Sequence, residues 1–223
     1  MRSNRAQRPA NCCSLREAEN VTALLTTFDA LVARQAAALA APGIWFTGEE
    51  QVAIARQARA ARAGRPGAAD LPDAVADASR RIATEAWTIR PDDIAAWADA
   101  GLRAEAYVEV LSIVARWTAL DTAAFGLALD DPVLPIPLDG LPSRAVVPDA
   151  AIDQGWVPTV GTAHPLTALT AIPGGLELQF DVHDTLYLSI DDMGDPLAVR
   201  DGATRAQIEL AAARTSYLNE CFF

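Results

Sequence analysis

Apolar positions recur at helical spacing along most of the chain. After Asn20, a residue suited to an N-cap, Val21, Leu24, Leu25, Phe28, Leu31 and Val32 follow at three- and four-residue intervals until Pro42-Gly43 stops the run. This predicts an amphipathic helix from residue 20, preceded by a polar, disordered arm over residues 1–19. Thr47 and Glu50 have the spacing of a capping box and open QVAIARQARAAR, a second helix that Gly64, Pro66 and Gly67 end. Shorter helices are expected over Pro72–Ala86 and Pro91–Asp99, each with Pro near its first turn. The broadest apolar stripe lies in Leu102–Leu129, where Tyr107, Val110, Leu111, Val114, Trp117 and Leu120 define a central helix expected to be the longest.

Past Asp130 the pattern changes. Pro132, Pro135, Pro137, Pro142 and Pro148 deny the chain a helix, so it must cross the surface extended. LELQFDVHDTLYLSI, residues 176–190, alternates apolar and polar residues like a strand, but it would be the only sheet in a helical molecule, which assigns it to helix. Thr204, with Gln207 as its capping partner, opens the last element. That element, TRAQIELAAARTSYLN, echoes TGEEQVAIARQARAAR in its capped start, its Gln before a β-branched residue and its Ala-rich body. A weak internal repeat accounts for the echo, as does shared composition. The organisation expected is an arm over 1–19, a helical unit over 20–130, a Pro-rich connector with short elements over 131–203, and the start of a second unit over 204–223.

Composition narrows the class. At 223 residues the chain is long enough for a substantial core, and 51% hydrophobic residues with only 6% aromatic, weighted to alanine, favours an all-α fold over a β-sandwich. The net charge of −11 repels phosphate backbones and anionic lipid, so neither nucleic acid nor membrane is an expected partner. No secretory leader is visible, and Glu109, Arg116 and Asp121 interrupt the longest apolar stretch, which makes a soluble, cytoplasmic protein the expectation. The three cysteines, Cys12, Cys13 and Cys221, fit neither a disulfide framework nor a zinc spacing, and no metal or cofactor is implied.

Glu209 stands twelve residues before Cys221, at the end of a capped, Ala-rich helix. This E-x11-C arrangement resembles the opening of E-x11-C-x2-C-x3-H, the active-site signature of the carboxymuconolactone decarboxylase and alkylhydroperoxidase D superfamily. WFTGEEQVAIARQARAAR, GLRAEAYVEVLSIVARWTALDTAAFGLAL and TRAQIELAAARTSYLNEC are similar to successive blocks of its double-repeat, peroxidase-related members. The resemblance implies an alkylhydroperoxidase D-like helical bundle of two pseudo-repeats, the second incomplete, and a homo-oligomer. It implies a thiol-dependent peroxidase acting on a hydroperoxide with a thiol reductant. Glu209 then matches the proton-relay glutamate and Cys221 the resolving cysteine, the catalytic pair expected here.

The reactive cysteine and the histidine of the signature fall after Phe223. As it stands the chain keeps one half of a dithiol, and peroxidase turnover is not expected from it alone. One expectation places a selenocysteine three residues after Cys221, where a UGA codon read as stop would give a chain ending ECFF; a true truncation is the rival. A non-catalytic helical protein acting through oligomerisation or small-molecule binding is the competing class, and a decarboxylase or lactone-type enzyme lacks an identifiable acid/base set. Elsewhere, Cys12-Cys13 reads as incidental, while His164 and His183 could act together only if the fold joined them. Glu105 and Glu109, one turn apart, read as ordinary partners of Arg103 and Arg116.

Overall fold

The computed structural model describes residues 11–67 and 70–218, and those residues are mostly helical. Helix α1 spans Asn11–Ala40, α2 Gly48–Arg62, α3 Asp73–Glu85, α4 Pro91–Asp99 and α5 Ala104–Gly126. An extended strap over 127–149 leads to a two-residue strand pair, β1 (Ala150–Ala151) and β2 (Thr159–Val160), in antiparallel register Ala150↔Val160. Helix α6 (Gly175–Leu186) and the short α7 (Ile190–Met193) follow, then a hairpin of β3 (Val199–Arg200) and β4 (Ala203–Thr204), and finally α8 (Arg205–Leu218).

The expected helical unit is present, and no strand lies among the described residues of 20–130. Its first helix, however, starts at Asn11 rather than after Asn20. LREAE, residues 15–19, consists of good helix formers without a breaker, so nothing in the sequence ends the helix at Asn20. Residues 11–19 of the expected disordered arm are therefore helical; residues 1–10 lie outside the described residues. With 30 residues α1, not the 23-residue α5, is the longest helix. The capping box at Thr47 is complete, the Thr47 hydroxyl accepting from the Glu50 amide and the Glu50 carboxylate accepting from the Thr47 amide. Residues 176–190 are helical to Leu186, as their context required, and break before α7 begins at Ile190.

One contiguous core joins α1 to α5, with Leu31, Leu39, Ile54, Ile113, Val114 and Trp117 at its centre and Val182 of α6 packed against it. Helix α5 crosses the middle, so its stripe meets α2 and α3 on one side and α6 on another. Arg59 of α2 grips Asp121 of α5 through Nη2–Oδ1 at 2.6 Å and Nε–Oδ2 at 3.0 Å. Arg59 also donates to the Pro132 carbonyl, pinning the start of the strap. Leu138, Ser143 and Arg144 then hydrogen-bond through their amides to the carbonyls of Ala40, Gly43 and Ile44, so the prolines run extended across the α1–α2 turn. Gly48 permits this crossing: a Cβ there would lie 2.1 Å from the Ala40 oxygen and 2.9 Å from that of Leu138.

Among the described residues one helical stretch, Glu19–Ala40, is long and apolar enough by composition to cross a membrane. That stretch carries Gln35, which has no exposure, and Arg34, paired with Asp181 of α6 at 2.7 Å.

Candidate functional site

The sequence-derived site begins at α8, and its placement starts one hairpin earlier. Asp201 and Gly202 take left-handed φ values of 50° and 85°, the geometry of a tight two-residue turn whose twist suits antiparallel strands. This turn aims Arg200 back at the end of α6, where its guanidinium donates to the carbonyls of Asp184, Thr185 and Tyr187, acceptors that a helix C-terminus leaves open. Arg205, the first residue of α8, donates to the carbonyls of Asp192 and Met193 at the end of α7. Two arginines thus fasten the start of α8 to the carbonyl ends of two helices.

Glu209 lies one turn into α8. The Tyr187 hydroxyl and Arg205 Nε both donate to its Oε1 at 2.7 Å, while Oε2 has no partner among the described residues. The tyrosine hydrogen bond, with the arginine beside it, holds the Glu209 carboxyl below its ordinary range, so it is ionised at neutral pH. Burial and the carboxylate together push the Tyr187 phenol up, keeping it a donor. His183 packs edge-on to the Tyr187 ring at 5.3 Å between centroids, with Nδ1 3.4 Å from Asp184 Oδ1. The fold therefore brings His183 next to the tyrosine that holds Glu209. His164 instead sits in an exposed turn ahead of Pro165 and lines a separate cavity with Tyr107 and Trp156.

Helix α8 runs unbroken to Leu218 and has no fully buried residue, with Leu210, Tyr217 and Leu218 largely exposed. Cys221 lies outside the described residues, as do Asn219, Phe222 and Phe223. Cys12 and Cys13 lie on the first turn of α1. Among the described residues, no group of three or more His, Cys, Asp or Glu is placed to hold a metal ion.

A second polar centre lies inside the helical unit. Glu109, Ser112 and Arg116 occupy positions i, i+3 and i+7 of α5, one stripe of the helix, and all three are buried. They line a cavity of ≈ 360 Å³, in the size range of small ligand sites, bounded by Ile44, Ile172 and Leu178. Glu109 was expected to pair with an arginine, as Glu105 does with Arg103 at 2.9 Å. Its carboxylate instead accepts the backbone amides of Ile44 at 2.9 Å and Trp45 at 2.6 Å. The turn after α1 presents those amides because Gly43 lets it approach: a Cβ at Gly43 would stand 2.0 Å from Glu109 Oε1. Burial raises the Glu109 carboxyl above its usual range, outweighing the two amides and Arg116.

Arg116 is 2% exposed, and burial pulls its guanidinium down to about 10. Nε donates to the carbonyl and hydroxyl of Ser112, and Nη1 to Gln35 Oε1. No protein family model, curated protein or solved structure matches the chain.

Sequence reasoning placed Glu109 and Arg116 on the central helix but not at a site. The available signal was their seven-residue spacing with Ser112 between them: three polar groups on one stripe of a helix that is otherwise apolar on that side.

Proposed function

We propose that the chain carries part of the redox site of a thiol-dependent, alkylhydroperoxidase D-like peroxidase, with Glu209 as proton acceptor and Cys221 as resolving thiol. The observation that carries this reading is the state of Glu209: ionised, clamped through Oε1 alone among the described residues, and on a helix with no fully buried residue. A carboxylate fixed at one oxygen keeps the other for an incoming donor, which is the task of a relay glutamate. The E-x11-C spacing supplies the direction of the chemistry, and the all-α frame is compatible with it.

In the reaction, a thiolate three residues after Cys221 attacks the distal peroxide oxygen. The O–O bond breaks, the alkoxide takes a proton and leaves as an alcohol, and the attacking sulfur becomes a sulfenic acid. The Cys221 thiol displaces water from that sulfenic acid to form a disulfide. An external dithiol then reduces the disulfide, restoring both thiols. Glu209 draws the proton from the attacking group through the signature histidine. The oligomeric and cytoplasmic character expected from the sequence belongs to the same proposal.

The test is hydroperoxide consumption with dithiothreitol by a chain extended to complete C-x2-C-x3-H. The extended chain should turn over, Cys221→Ser should stop multiple turnover, and Glu209→Gln should slow the reaction by about 10²-fold, the lower end of the usual effect of a general base. Equal rates for the extended chain and its Glu209→Gln and Cys221→Ser variants would overturn the proposal.

A further inference from the structure

Arg116 is buried without a carboxylate in ion-pair range among the described residues. The groups coupled to it and to its neighbours are Glu109 on α5, Asp181 and Arg34 across the α1–α6 contact, and Arg144 from the strap. Arg34 and Arg144 are exposed, so within this group the buried charged side chains are Arg116 and Glu109. Asp181 is paired with Arg34 and the Glu109 oxygens are on backbone amides, so Arg116 has no carboxylate within 4.0 Å among the described residues. A buried guanidinium without an ionic partner is costly, and its position facing a cavity rather than solid packing gives that cost a use.

The donors are arranged for a planar anion. A guanidinium has five N–H groups in a fixed fork. Here Nε is taken by Ser112 and one arm, Nη1, by Gln35, while Nη2 meets no acceptor among the described residues. Glu109 does not fill the gap, because its two oxygens are drawn to the amides of Ile44 and Trp45. The walls formed by Ala38, Ile44, Ile172, Pro173 and Leu178 are apolar and offer a ligand's tail no polar partner.

We propose that the cavity beside Arg116 binds a small monocarboxylate with a short apolar tail, its carboxylate on the free guanidinium edge and its tail against Ile44, Ile172 and Leu178. Phosphate and dicarboxylates suit it less, since a single free guanidinium arm faces an apolar wall and the Glu109 carboxylate lines the same cavity. The site is built by α1, α5 and α6 and the turn after α1, so it stands or falls independently of Glu209 and Cys221.

Isothermal titration of the full chain with hexanoate, and with hexanamide as its neutral match, tests the proposal. Hexanoate should bind at least about tenfold tighter than hexanamide, the difference between a charge-assisted and a neutral hydrogen bond. Arg116→Met, which keeps the stem and removes the donors, should abolish the preference. If that variant does not fold, Ser143→Trp serves instead, because Ser143 lines the cavity from an exposed position and a ring there blocks the mouth. Equal binding of acid and amide, absence of binding by hexanoate, or hexanoate affinity unchanged in Ser143→Trp would overturn it.

Discussion

Helices α2 and α8 begin alike and end up in opposite surroundings. Each opens at a threonine whose capping partner stands three residues on, and each continues into an Ala-rich body. Yet α2 buries Val52, Ala53, Ile54, Ala55 and Ala58 among α1, α3 and α5, whereas α8 buries none of its residues and rests on the β3–β4 hairpin. The difference lies in where bulk sits. Val52 and Ile54 place branched side chains on opposite sides of α2, and both sides are buried. In α8 the corresponding stretch has Glu209 with its clamp on one side and Leu210 in solvent. A capped start makes a helix; only apolar bulk facing a neighbour makes it part of a core.

The largest effect should come from placing a charge at equivalent depth in the two helices. Ile54→Asp buries an unpaired carboxylate at a position with no exposure and should destabilise the chain by about 3–5 kcal/mol, which urea denaturation will measure. Leu210→Asp, at a position 72% exposed, should change the same transition by no more than about 0.5 kcal/mol. Comparable losses at both sites would mean that α8 is covered.

Glu109 sharpens the contrast through pH. Its carboxyl is raised in the folded chain, so the fold holds that proton more tightly than the unfolded chain does. Stability from this group is therefore highest below the unfolded carboxylate value of about 4.3 and is lost as pH rises through the raised folded value. Asp181, lowered by its hydrogen bond from Arg34, acts in the opposite sense: its stabilisation is present above the unfolded value and is lost as pH falls. Glu109→Gln should cost about 1–3 kcal/mol, because one of the two backbone amides loses its acceptor. The stability gap between wild type and this variant should narrow as pH rises from about 4; a widening gap in denaturation midpoints would contradict the raised carboxyl.

The smallest effect compares the caps. Thr47→Ala should cost about 1 kcal/mol in the global transition, while Thr204→Ala should leave that transition unchanged and loosen only α8, seen as faster amide exchange over residues 205–218.

Much of the helical unit was legible because its signals are local. The capping box at Thr47, the prolines at 72 and 91 and the stripe through Val114 each fix an element without knowledge of its neighbours. The start of α1 was missed because a polar stretch of helix formers carries no periodic apolar signal. The strand pairs were missed because two-residue ladders depend on turns that bring distant backbone together. At the candidate site, Glu209 was visible from its spacing, but its clamp was not: Tyr187 lies twenty-two residues away and reaches it only through the hairpin. The inner stripe was hidden for a similar reason. Glu109 and Arg116 read as an ion pair on the helix they share, and only the close turn at Gly43 shows why the carboxylate turns to backbone amides instead.

The proposed function assigns redox chemistry to Cys221 and the residues after it, and not to the core unit or the cysteines at the start of α1. Peptide mass mapping of the chain extended to complete C-x2-C-x3-H, after one equivalent of hydroperoxide, tests it most directly. The account predicts the loss of two hydrogens in a single disulfide joining Cys221 to the cysteine three residues later, with Cys12 and Cys13 still free thiols. A disulfide at Cys12 or Cys13, with Cys221 left reduced, would contradict it.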